Sequence, residues 1–159
     1  MCHVVSLTKA ETQDLEEILD LFEASIRQTC SKDYNQAQMD VWVASRNNKE
    51  RWLSFLSHHF FLVALRNNEI AGFAALDGTD YLDFLYVHPK HQKAGVASLL
   101  FTEILREAKT RGAKALGSDV SITAKPFFLS KGFKEIKKNV NLREGVELIN
   151  YLMVLSSLN

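Results

Sequence analysis

Three apolar, β-prone segments, 60–65, 70–76 and 81–87, follow one another almost without a break. The joints between them are too short for a crossover, because a parallel connection needs about a dozen residues or more. Asn67-Asn68 suits a tight hairpin, since Asn tolerates positive φ, and Asp77-Gly78 suits a second turn. The three strands are therefore expected to be antiparallel neighbours.

The flanking segments change period. Leu15, Ile18, Leu19, Phe22 and Ile26 recur at spacings of three and four, one apolar helical stripe. Thr8 with Glu11 and Asp14 with Glu17 both fit a capping box for its start. Residues 3–7 read as a short first strand, and residues 35–56 as one or two helical pieces carrying Met39, Trp42, Trp52, Phe55 and Leu56. Beyond the meander, Val96, Leu99, Leu100, Ile104 and Ala108 form another stripe, closed by Lys109, Arg111 and Gly112. A strand over 113–120, a short helix over 126–131 and strands over 133–138 and 148–155 follow. The sum is an α/β domain over residues 1–159, with a mixed, mostly antiparallel sheet of about seven strands and about four helices.

At 159 residues the chain has the size of one domain. Such a length buries roughly 68–70% of its unfolded surface without disulfides or metal. Cys2 and Cys30 are too few for a disulfide framework or a four-ligand zinc site. His58 and His59 diverge if they lie on a helix, and His88 and His91 have no carboxylate near them in sequence, so no metal is expected. The longest apolar runs fall far short of the ~20 residues of a membrane helix. The N-terminus lacks a signal-peptide pattern, and a cytoplasmic protein with no membrane partner is expected. The net charge of zero hides a split: residues 88–138 hold 11 Lys or Arg against 4 Asp or Glu, while residues 1–87 hold 7 against 13. One half can face an anion and the other a cation, or both are solvated faces. A pI of 7.0 lacks the basic footprint of a nucleic-acid binder.

The run from Leu85 to Leu100 carries the most chemistry. A strand ends at Val87, a basic loop with Lys90 and Lys93 follows, and a helix begins near Gly95. A helix N-terminus offers unpaired N–H groups and partial positive charge, a natural pyrophosphate site, and Gly95 and Ala97 leave room for a ligand. The same residues also fit an ordinary strand-loop-helix connection. No G-x-x-x-x-G-K-[ST] and no G-x-G is present, so neither a P-loop nor a dinucleotide fingerprint applies.

Gln92-Lys93-Ala94-Gly95-Val96-Ala97 matches [Q/R]-x-x-G-x-[G/A]. The run from Ser121 through Ala124, Phe127 and Phe128 to Gly132-Phe133 follows the spacing of a second motif, N-x-x-A-x-x-F-Y-x-x-x-G-F. On these residues, and on element order over nearly the whole chain, the sequence resembles the GNAT superfamily of acyl-CoA-dependent N-acetyltransferases. The resemblance implies a GNAT-like sheet whose central parallel strands splay apart, with the pantetheine arm of acetyl-CoA between them. Leu85, Tyr86 and Val87 would meet that arm. Gln92, Lys93, Ala94, Gly95, Val96, Ala97 and Ser98 would hold the pyrophosphate. Ser121, Ala124, Phe127 and Phe128 would also contact the cofactor, and Lys93, Lys125 and Lys131 its adenosine end. Phe128 stands where the family often has a proton-donating Tyr, and Ser121 where it often has Asn. The run Pro126-Phe127-Phe128 with the later Gly145-x-x-Leu148-x-Asn150-x-x-Met153 resembles a subgroup, so Phe128 reads as a subgroup trait.

The implied reaction is direct acetyl transfer to a primary amine of a small molecule. A protein lysine or N-terminal acceptor, and a non-catalytic acyl-CoA-binding module, are the alternatives, and a homodimer is one assembly it allows. An alkylamine with a pKa near 10.4 is almost wholly protonated at pH 7, so a base is useful. Strict alternation puts Tyr81, Asp83, Leu85 and Val87 on one face of their strand. Members of the family often place an acidic residue on this strand facing the acyl group, so the resemblance makes Asp83 the candidate base and Tyr81 the second choice, the alternative being that Asp83 is a surface or turn-facing carboxylate. Ser121 or Tyr86 could donate a proton to the thiolate, and a backbone N–H near Leu85 or Tyr86 would hold the oxyanion. Tyr34, Trp42 and Trp52 either shape an acceptor pocket or belong to the core.

Overall fold

The computed structural model describes residues 4–158. Seven strands form one sheet in the order β1-β2-β3-β4-β5-β7-β6. β1 (Ser6–Lys9), β2 (Phe60–Arg66), β3 (Glu69–Asp77) and β4 (Tyr81–Val87) are antiparallel neighbours. Asn67 (φ 55°) and Asn68 (φ 61°) make the tight hairpin between β2 and β3. β5 (Ala115–Ser121) runs parallel to β4, and β7 (Val146–Ser156) pairs antiparallel with both β5 and β6 (Lys134–Arg143). The expected mixed, mostly antiparallel sheet is the one observed. Its first strand starts later than the 3–7 expected, and residue 3 lies outside the described residues.

Side-chain alternation gives the sheet two apolar faces. Phe61, Val63, Phe73 and Ala75 pack against α1 (Leu15–Ala24), α2 (Gln36–Val43) and α3 (Lys49–His58). Leu62, Ala64, Ala74 and Leu76 pack against α4 (Val96–Thr110) and α5 (Lys125–Ser130). The five helices exceed the four expected because residues 35–56 divide in two. The Asn48 side chain accepts the Arg51 N–H at 3.2 Å and starts α3 afresh after a 3-10 turn. Neither expected capping box begins α1. Glu11 and Asp14 form a reciprocal box around a preceding 3-10 turn, carboxylates accepting N–H groups as a hydroxyl would.

One glycine sets how closely the layers approach. A Cβ on Gly72 would lie 2.9 Å from the Tyr86 carbonyl oxygen, 2.9 Å from Val96 Cγ1 and 3.1 Å from Leu100 Cδ1. The backbone of β3 is thus in direct contact with β4 and the first turns of α4, the two elements that flank the candidate site. Gly72→Ala is expected to destabilise by about 1–3 kcal/mol through overpacking, read as a lower denaturant midpoint at unchanged slope. An unchanged midpoint would show that α4 can shift freely.

Candidate active site

β4 and β5 share one register pair, Tyr81 with Gly117. Gly117 N–H donates to the Asp80 carbonyl at 2.9 Å, and Ser118 Oγ donates to the Leu82 carbonyl at 2.7 Å. Past Leu82 the two strands part. His88 N–H donates to Ala71 across the β3 side at 2.8 Å. Alternation then turns the backbone groups of Leu85 and Val87 toward the gap. Gln92 Nε2 takes up the Val87 carbonyl at 3.2 Å. A cavity of about 1180 Å³ occupies the gap and extends beneath α1–α3.

From Val87 the chain makes a 3-10 turn, Pro89–His91, and passes through left-handed Lys93 (φ 60°) and Gly95 (φ 79°) into α4. A helix start leaves its first N–H groups without intrahelical partners. A cup of about 180 Å³ lies there, bounded by Val87, Gln92, Lys93, Gly95, Val96, Ala97, Ser98 and Phe127. Ser121, Ala124, Phe127 and Phe128 line the larger cavity with Leu85 and Tyr86. Ser121 Oγ accepts the Ala124 N–H at 3.0 Å and keeps its own proton free. Phe128 is buried edge-on against Phe133, with ring centroids 4.9 Å apart.

Three residues assigned to the cofactor, Ala94, Lys125 and Lys131, line neither cavity. Ala94 packs toward the α4 core, and the Lys131 ammonium sits 5.3 Å from the Phe127 ring centroid. Lys90 is paired with Glu69 on β3, which holds that carboxyl below its usual range. Lys125 pairs with Glu135 and lies 4.0 Å from the Tyr151 ring centroid.

The expected common face of Tyr81, Asp83, Leu85 and Val87 is corrected by a β-bulge. Leu76 pairs with Leu82 and Ala75 with Phe84, so Asp83 is an extra residue on β4. Alternation resets there. Leu82, Leu85 and Val87 pack on the α4 side, while Phe84 and Tyr86 pack on the α1–α3 side. Asp83 lines the large cavity, half-buried, with Oδ2 2.9 Å from His59 Nε2. Tyr81 lines it too, but its hydroxyl donates to Asp119 Oδ2 at 2.5 Å. Burial first, and Asp119 second, push that phenol far up and favour its protonated form.

Around the part of the cavity beneath α1–α3 stand aromatic walls and a polar floor. Trp52 stacks on Phe84 at 4.9 Å, and Tyr34 meets Trp42 edge-on at 5.1 Å. Trp52 and Tyr34 are buried, and all four residues line the cavity, so core and lining roles coincide. The Tyr34 hydroxyl donates to the Ile149 carbonyl at 2.5 Å and accepts the Ile122 N–H at 3.0 Å. Burial is the main cause that pushes it up to about 12. Burial also drives the Tyr86 phenol and the Cys30 thiol upward, so both stay protonated. A π-helical turn, Ser25–Thr29, brings Ser25 and Thr29 into the lining. The floor is a line of hydrogen bonds across the sheet. Asn139 Nδ2 donates to Asp119 Oδ1 at 2.8 Å and to Asn150 Oδ1 at 2.9 Å.

Sequence reasoning missed His59, Asp119 and Asn139, and named Asn150 only within the subgroup run, with no role. Asp119 and Asn139 lie on strands with no motif. His59 was read as diverging from His58 on a helix. α3 ends at His58, and His59 takes extended backbone angles (φ −87°, ψ 158°) that turn it to the sheet. Its position directly before an apolar strand was the one available signal. His59, Asp77 and Asp83 present ligand-type atoms within 4.8 Å of one another, which the sequence spacing does not suggest.

Comparison with known proteins agrees with this geometry. The family description "Acetyltransferase (GNAT) domain" matches residues 30–155. The chain belongs to the GNAT family and is an N-acetyltransferase. It is 28% identical over 149 residues to the uncharacterized N-acetyltransferase YafP of Escherichia coli K12, covering 94% of each chain. A crystal structure of a GCN5-related N-acetyltransferase, titled "Aminotransferase, Class-II", from Rhodopseudomonas palustris superposes with a TM-score of 0.93 at 30% identity over 98% of both chains. The PaiA N-acetyltransferase of Thermoplasma acidophilum, solved in complex with coenzyme A, shares the fold with a TM-score of 0.79 at 20% identity, over 96% of this chain and 99% of that one. Among the described residues no helix is long and apolar enough to cross a membrane.

Proposed function

We propose that this chain transfers the acetyl group of acetyl-CoA directly to the primary amine of a small molecule. The observation that carries the small acceptor is the cover that α2 and the turn before it place over one side of the groove. The Tyr34 hydroxyl and Gln38 Nε2, at and before the start of α2, donate to the Ile149 and Glu147 carbonyls of β7, at 2.5 and 2.9 Å. These bonds tie the helical layer to β7, on the far side of the gap between β4 and β5. A peptide acceptor needs a groove open at both sides, whereas an aromatic-walled pocket suits a compact amine.

In this reading the pantetheine arm extends β4 across the gap, on the backbone of Leu85 and Val87. The pyrophosphate sits in the cup at the start of α4, favoured by its partial positive charge and by Lys93. The ammonium of the acceptor enters beside Asp83 and Asp119. It gives up two protons overall: one goes to solvent by way of Asp83, and the other ends on the CoA thiol. The neutral amine attacks the thioester carbonyl, and the bond to sulfur breaks. A thiol pKa of about 8.5 lets the thiolate leave without a strong acid, and the protonated Tyr86 and Ser121 hydroxyls are the nearby donors. Phe128, which has no proton to give, serves packing.

Two measurements test this. Acetyl-CoA is expected to raise the melting temperature, a ligand at 100 times its Kd being worth about 2.7 kcal/mol. No shift at millimolar acetyl-CoA overturns the cofactor. CoA release is then followed against a panel of small aromatic and aliphatic amines and of lysyl and N-terminal peptides. Small amines are expected to turn over, and turnover of peptides alone overturns the small acceptor.

A further inference from the structure

The imidazole of His59 is unusual in its surroundings. It closes α3, lies beside the Phe55 ring at 5.1 Å between centroids, and has a side chain only 8% exposed. Its Nε2 is 2.9 Å from Asp83 Oδ2. A carboxylate can only accept, so this ring nitrogen carries the hydrogen. The other nitrogen, Nδ1, has no hydrogen-bond partner and faces Asp77 Oδ1 at 3.9 Å. Asp77 is 57% exposed and Asp83 26% exposed. The ring therefore lies between a solvent-facing carboxylate and one set in the wall of the acceptor cavity.

A residue placed here for packing alone would be apolar, since a buried nitrogen without a partner costs free energy. What His59 adds over Leu or Phe is one N–H aimed at one oxygen of Asp83. Asp83 needs such a partner. It is the extra residue of a bulge, so its backbone lacks the paired register that fixes its neighbours. Its side chain has no other hydrogen bond among the described residues.

We propose that His59 is the positioning residue of Asp83. Its Nε2–H holds Oδ2 against the end of α3 and leaves Oδ1 presented to the cavity, where the amine proton arrives. This rests on the reading of Asp83 as the base. His59 does not touch the acceptor. Its effect passes entirely through the orientation of the carboxylate.

Two substitutions separate donor from bulk. His59→Leu keeps a buried apolar side chain and removes the N–H. His59→Gln keeps an amide N–H that reaches the position of Nε2. With the amine that the acceptor panel selects, His59→Leu is expected to lower kcat by about ten- to a hundredfold, the scale of a misplaced catalytic group. The KM for acetyl-CoA and its thermal shift stay unchanged. His59→Gln is expected to recover most of the rate. In an Asp83→Asn background His59→Leu is expected to add no further loss, because the two act as one unit. Nitrogen-15 NMR of the imidazole, which needs no acceptor, is expected to show the Nε2–H tautomer in the wild type.

Full kcat in His59→Leu alongside a slow Asp83→Asn overturns the proposal and leaves Asp83 as base. So does a predominant Nδ1–H tautomer. If His59→Leu fails to fold, a His59→Gln that folds but is as slow as Asp83→Asn overturns it as well. Near-normal turnover of Asp83→Asn sinks the base assignment itself. A rate abolished by a chelator and restored by zinc would give His59, Asp77 and Asp83 to a metal ion and overturn the positioning role.

Discussion

Asp83→Asn is expected to lower turnover at pH 7 by about 10²–10⁴-fold, the usual cost of losing a general base. The substitution keeps the shape of the side chain and its bond to His59, and removes charge and basicity together. Binding of acetyl-CoA is expected to change little, because the cup at the start of α4 is built from other residues. The deficit has a characteristic pH dependence. An alkylamine with a pKa near 10.4 becomes about tenfold more neutral with each unit of rising pH below that value. The wild type depends on Asp83 most where the neutral fraction is least, so the gap narrows from pH 6 to pH 9. Rate profiles of the two proteins over that range check this. Parallel profiles with near-equal rates would remove Asp83 from the mechanism.

Gly95→Glu is expected to abolish acetyl-CoA binding, with no thermal shift at concentrations that move the wild type by roughly 5–10 °C. Gly95 has φ 79°, and a Cβ built on it meets nothing within 4 Å. A side chain there meets open space, and Gly95 itself lines the cup. Glu places bulk and negative charge where a pyrophosphate would lie and opposes the partial positive charge of the helix end. The left-handed backbone costs any non-glycine residue about 1–2 kcal/mol. Gly95→Ala carries that cost without the charge, and is expected to retain a shift. Normal binding by Gly95→Glu would move the pyrophosphate away from α4.

Most of the fold was legible because it is written in short-range chemistry. The meander over residues 60–87 follows from two turns too short for anything but hairpins. The stripe from Leu15 to Ile26 is buried throughout, as its spacing requires. The loop from Val87 into α4 was readable from one glycine and one hexad. Less legible were features that depend on partners distant in sequence. The cap on α3 is local, yet Asn48 became a break only because Trp52 on one side and Met39 on the other both had core to fill.

The sequence by itself determined the order of the strands, the antiparallel pairing of β2 to β4 and the helix start over the cup, and its motifs carried the resemblance to the GNAT family. These depend on turn length, periodicity and motif spacing, which any reader of the chain can count. Only the tertiary structure decided which face Asp83 occupies, because a bulge opposite Ala75 and Leu76 breaks the alternation that a strand pattern assumes. It alone brought His59 to Asp83, across 24 positions, and Tyr81 to Asp119, across 38. It also tied the turn before α2 to β7, through the Tyr34 hydroxyl and its bond to a carbonyl 115 residues away. A side chain's chemistry in a site is set by what stands within about 3 Å of it, and for these residues that neighbour is supplied by packing of sheet against helix, not by nearby sequence.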